Sequence, residues 1–103
     1  MLYKAISDPF RTLTSLDVSA YLENANSLRG NVYKITGTVE TQLAWSPQAG
    51  RLFSVEVNEH NDILALLLPA NFNSMNIQMG QRYFFKIAVV DKGVLQVQEI
   101  RKV

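Results

Sequence analysis

The chain has no cysteine, one histidine and one tryptophan among its 103 residues. The missing cysteine excludes disulfide staples, thiolate zinc sites and thiol nucleophiles, and leaves the compartment unassigned, since such a domain is stable in cytosol or periplasm alike. Charge of one sign is also lacking: ten Lys and Arg against nine Asp and Glu give a net charge of +1. That is far from the pI above ~9 of a general polyanion binder, so a basic patch is compatible with the chain and a basic protein is not. Long apolar runs are absent too. The opening MLYKAISDPF lacks the ~7 to 15 apolar residues of a secretory signal, and no later stretch reaches the ~20 needed to span a bilayer. The chain as given is therefore expected to be soluble, without a membrane segment, and is equally compatible with being one domain of a longer protein.

The motifs of several chemistries are missing as well. There is no G-x-S-x-G, no G-x-x-x-x-G-K and no G-x-G-x-x-G, and Ser54 and Ser74 have only one histidine to draw on. That residue, His60, stands in the polar turn NEHND with Glu59 and Asp62. Three ligands on one turn seldom converge on an ion without support from elsewhere, so a solvated turn is expected, with no metal and no cofactor. Glu40 and Glu56 are placed to face each other across two strands, but exposed carboxylates keep ordinary pKa values and do little acid–base work. We therefore expect a protein that is not an enzyme.

What is present is pattern. At this length one domain forms and buries roughly 65% of its unfolded surface without staples. No internal repeat or low-complexity tract divides it. Residues 1–14 carry Leu2, Tyr3, Ile6, Phe10 and Leu13 without steady period, broken at Asp8-Pro9, and read as an irregular arm. From Ser15 the apolar spacing of Leu16, Val18, Tyr21, Leu22, Ala25 and Leu28 predicts a helix over 15–29, with Ser15 as N-cap and Gly30 in the left-handed position after its end. Asp17 and Arg29 complement its dipole.

After Gly30 the period drops to two. NVYKITGTVETQL points Tyr33, Ile35, Gly37 and Val39 one way, with Gly37 marking a bulge or sharp coil. RLFSVEVN repeats the alternation with Phe53, Val55 and Val57 inward. ILALLLP is apolar in both phases, which implies a strand covered on two sides. PANFNSMNIQMG breaks the strand pattern and offers Phe72, Met75 and Ile77 to a short helix that plugs a barrel. QRYFFKIAVV places Tyr83, Phe85, Ile87 and Val89 inward, DKG makes a tight turn with Gly93 at positive φ, and VLQVQEIRKV places Leu95 and Val97 inward. The fold class is mainly β: a five-stranded OB-fold Greek-key barrel over 15–103, with an N-terminal helix and a short helix between strands three and four.

The detail agrees. SLRGNVYKITGTV resembles the first strand of bacterial OB-fold domains of the tRNA-anticodon-binding-like, nucleic-acid-binding-like group, where a leucine and a glycine precede a strand that bends at a second glycine. GQRYFFKIAVVDKGVLQVQEI is similar to that group's last hairpin, with its Gly-Gln start and Leu-x-Val ending. The resemblance covers residues 28–103 and implies a scaffold whose members bind single-stranded nucleic acid, oligosaccharide or protein.

Ligands of this fold lie on strands two and three, between the loops joining strands one to two and four to five. Here that face offers Leu52, Ser54 and Glu56 from strand two and Ile63, Ala65 and Leu67 from strand three, although the doubly apolar ILALLL leaves its facing open and a one-residue slip exposes Leu64, Leu66 and Leu68 instead. It has no aromatic ring and no cation, and Glu56 repels phosphate. Leu52, Glu56, Ile63, Ala65 and Leu67 are therefore read as a protein interface, covered by the arm, by a second copy or by another protein. The alternative reading is a weak single-stranded nucleic-acid site. Trp45 and Arg51 bracket the loop SPQAG and Lys92 sits in DKG, placed to hold a nucleotide between an indole and two cations. Trp45 reads equally as a lid on the barrel mouth. Because strand one pairs with strand four in this fold, Lys34, Arg82 and Lys86 fall together around an outward Phe84, a second cationic candidate or a solvated outer face with Phe84 under the helix.

Overall fold

A computed structural model describes residues 13–57 and 62–103 of the chain. Most of the expected arm, and His60 and Glu59 of the turn, lie outside the described residues. The first strand, β1 (Val32–Ser46), is fifteen residues long and serves two neighbours in turn. Its first half pairs antiparallel with β4 (Arg82–Val89), from Val32↔Ala88 to Thr38↔Arg82. Its second half pairs antiparallel with β2 (Gly50–Val57), from Gly37↔Val57 to Ser46↔Gly50. Gly37 and Thr38 are shared by both pairings. A Cβ at Gly37 would lie 2.6 Å from Val55 Cγ1 and 2.7 Å from the Glu56 carbonyl oxygen, so only glycine lets the strand coil this tightly against β2. The bulges themselves come later, at the register shifts between Val39 and Thr41 and between Gln42 and Ala44.

β2 pairs antiparallel with β3 (Asp62–Leu68), and β5 (Leu95–Lys102) pairs antiparallel with β4. The parallel contacts Leu66↔Leu95 and Leu67↔Gln96 close the barrel in the order β1-β2-β3-β5-β4. This is the five-stranded Greek-key order expected of the OB-fold. The period-two alternation placed the core of β1, β2, β4 and β5 correctly: Val39, Phe53, Val55, Phe85, Ile87, Val89, Leu95 and Val97 are all buried. Each such side chain is worth roughly 1.5–3 kcal/mol of burial. β3, apolar in both phases, turns Leu64, Leu66 and Leu68 inward, yet its other side is not covered as expected: Ile63 and Ala65 are exposed.

The N-terminal helix is shorter than its apolar spacing suggests. α1 spans Val18–Glu23, and its N-cap is Asp17, whose carboxylate accepts the Ala20 N–H at 3.2 Å. Ser15 does not cap it, because residues 14–16 are extended along β1: Leu16 N–H donates to Lys34 O and Lys34 N–H to Thr14 O, at 3.1 and 3.0 Å. Asn24 ends α1, a 3-10 turn follows at Ala25–Leu28, and Gly30 takes the expected left-handed backbone at φ +92°. Between β3 and β4 the expected plug helix is a three-residue 3-10 turn, Ala70–Phe72. Ile77 and Phe72 pack on the core, whereas Met75 stays exposed.

Candidate interaction surfaces

The outward side of β2 and β3 is set by register. Leu52 lies opposite Leu67, Ser54 opposite Ala65 and Glu56 opposite Ile63, so the five residues expected to form the aliphatic face stand side by side. Ile63 is 58% exposed, Ala65 is exposed, and Leu52 and Leu67 are half-buried. β1 adds two residues that the sequence did not yield. A bulge sets two residues against one, and here the shift leaves Leu43 and Ala44 together against Leu52. Leu43 is 53% exposed and extends the apolar surface across a third strand.

Trp45 is not in a loop. It pairs with Arg51 at the end of β1, and the connection is reduced to residues 47–49. Its ring is 58% exposed and, among the described residues, its N–H has no hydrogen-bond partner, so it does not act as a packed lid. Arg51 faces the barrel end. Its Nη2 donates to the carbonyls of Phe72 at 2.7 Å and Met75 at 2.8 Å, and its guanidinium carbon lies 5.5 Å from the centre of the Phe53 ring. The cation is thus committed to fastening the β3–β4 connection to β2. Arg51 Nε and Asn73 Oδ1, buried nearby, have no hydrogen-bond partner among the described residues. Lys92 belongs to a different region. The turn Asp91–Gly93 packs against the end of the helical segment, with Tyr21 Oη donating to Gly93 O at 2.6 Å and Arg29 facing Asp91 at 3.7 Å. Since Val89 bonds Asn31 at the start of β1, this turn and Trp45 lie at opposite ends of that strand. The three-residue clamp of Trp45, Arg51 and Lys92 is therefore not assembled.

The second cationic candidate is assembled. Lys34 pairs with Lys86, Phe84 with Thr36 on one side and Arg101 on the other, and Arg82 with Thr38. Four cations from three strands thus surround a half-buried Phe84. Among the described residues Glu99 bonds Lys86 at 3.4 Å, and Lys34, Arg82, Phe84 and Arg101 each have interactions of their own. Arg101 and Glu99 escaped the sequence reading because a register shift between Lys86 and Ile87 displaces β5 by one residue.

Chemistry-bearing groups are sparse. Among the described residues no three His, Cys, Asp or Glu side chains are grouped to hold a metal. Glu56 faces Thr38 and not Glu40, which falls in the bulge opposite Ser54. Burial raises the Tyr21 phenol above its ordinary 10.0. A hollow of ≈ 190 Å³ at the barrel end is lined by Met75, Asn76, Tyr83, Ile100, Arg101 and Lys102. No described helix is long and apolar enough to cross a membrane. No protein-family model matches the chain, and no curated protein matches it in sequence.

Proposed function

We propose that this chain is a non-catalytic assembly module of the OB-fold type that its first strand and last hairpin resemble, and that it meets protein through the outward face of β1, β2 and β3. The observation that carries this reading is the face itself: Leu43, Ala44, Leu52, Ile63, Ala65 and Leu67 are contiguous in register, partly or well exposed, with no cation among them. Apolar area of this kind, at roughly 25 cal/mol per Å², favours a covering surface. The test is association of the purified chain, with itself or with a stoichiometric companion from its own cells, before and after Ile63→Lys and Leu67→Lys. Binding is expected to be indifferent to salt and lost in the variants while the melting temperature holds. Binding of such a companion that survives both variants, or a chain that stays alone and unaccompanied, removes the reading.

A second reading has its own observation, the ring of Lys34, Arg82, Lys86 and Arg101 around Phe84. Here single-stranded nucleic acid is proposed on the β1–β4–β5 face, away from the usual site of the fold, with Phe84 as the stacking surface. Trp45, Arg51 and Lys92 have no part in it. Phosphate contacts release counterions, so affinity is expected to fall steeply between about 50 and 200 mM salt and to weaken in Arg82→Ala and Phe84→Ala. Unchanged mobility of mixed-sequence single strands at low salt argues against it.

A further inference from the structure

Beyond Val39, β1 leaves β4 and keeps only β2. The last links on that side are Val39 N–H to Gln81 O at 3.1 Å and Gly80 N–H to Val39 O at 2.7 Å. Residues 40–45 are all exposed, and among the described residues no backbone group outside β2 bonds to them. An unpaired strand edge is a template for another strand, and proteins ordinarily blunt one with lysine, proline or a covering element. Here residues 41–46, TQLAWS, carry no charge and no proline, and Leu43 and Trp45 stand exposed on them. Glu40 and Pro47 bound the stretch.

We infer that this edge pairs antiparallel with the same edge of a second copy of the chain, about a twofold axis near Leu43. Two features select a second copy over another protein. The stretch is free of charge, so it meets itself without like-charge repulsion, whereas nothing on it selects a charged partner. The two bulges also give β1 a strong local twist that a regular strand does not match, and the same segment of a second copy carries the same twist. Pairing makes one sheet of β3-β2-β1-β1-β2-β3, so the aliphatic faces of the two copies run together into a single surface. The inference rests on the proposed assembly function and names its first partner. The shared edge is short, so the affinity expected is in the micromolar range and not the nanomolar.

The experiment is sedimentation velocity over a hundredfold range of concentration, with amide exchange read for residues 40–46. Dimer is expected to appear with concentration, accompanied by slowed exchange of the amides of this segment that face away from β2. Leu43→Lys places two ammonium groups beside the axis and is expected to weaken the dimer at least tenfold, with the thermal melt unchanged. Thr41→Arg, charged at the other end of the stretch, does the same should Leu43→Lys prove poorly folded. A chain that stays monomeric throughout overturns the inference, as does a dimer that survives both substitutions. Dimer lost in Ile63→Lys but kept in Leu43→Lys preserves the proposed function and rejects the edge; a monomer that binds a different protein through Ile63 has the same meaning.

Discussion

A methyl group added at Gly37 meets Val55 Cγ1 at 2.6 Å and the Glu56 carbonyl at 2.7 Å, and the second of these is backbone with little freedom to yield. Gly37→Ala is therefore expected to cost about 1–3 kcal/mol, as overpacking does, read as a lowered midpoint in urea. Lys92 carries the opposite sign. At φ 65°, ψ 19° it is the one described non-glycine residue with left-handed backbone. Such a conformation costs a side chain about 1–2 kcal/mol, of which the extra freedom of unfolded glycine returns about 0.5–1, so Lys92→Gly is expected to stabilise by roughly 0.5 kcal/mol. At this scale the sequence was legible where period two decides: Phe53, Val55, Phe85, Ile87, Leu95 and Val97 face inward as the alternation requires. Gly37 was legible as a special point, though its role is tight coiling and the bulges fall two residues later.

Elements were legible in kind and less so in extent. α1 has six residues and is under half the expected length; its start is late because residues 14–16 are drawn onto the edge of β1, a long-range pairing that helical spacing does not encode. β1 is longer than expected because Trp45 and Ser46 still pair with β2 next to a proline that reads as loop. The β3–β4 connection gains order from Arg51 in place of helix. Arg51→Met is expected to lose two charge-assisted bonds to carbonyls and to destabilise by about 2–3 kcal/mol, with proteolysis appearing first between residues 69 and 81. The α1 segment is held by Tyr21, whose buried phenol ionises later in the folded protein than in the unfolded chain. Its contribution is complete below about pH 10 and is lost as the unfolded phenol releases its proton above that value. Tyr21→Phe is expected to cost about 0.5–1.5 kcal/mol at neutral pH and to flatten the alkaline decline in stability.

For the whole molecule, two faces compete for a role: an aliphatic one on β1–β2–β3 and a cationic one on β1–β4–β5. The sequence anticipated much of both: strand order and alternation suffice to place Lys34 beside Lys86, whereas Leu52 beside Leu67 needed the facing of β3, which a strand apolar in both phases leaves open. Leu43, Ala44 and Arg101 were missed because bulges shift register by one residue, and no periodicity announces a bulge. The Trp45, Arg51 and Lys92 group failed for a different reason: short loops adjacent in a topology diagram sit at opposite ends of a long curved strand. The most direct measurement puts a photoreactive side chain in place of Ile63, and separately in place of Phe84, in the cells that make the protein. A protein adduct of defined mass is expected at position 63, lost with Leu52→Glu, and none at 84. A nucleic-acid adduct at 84 with no protein at 63 would contradict the proposed function.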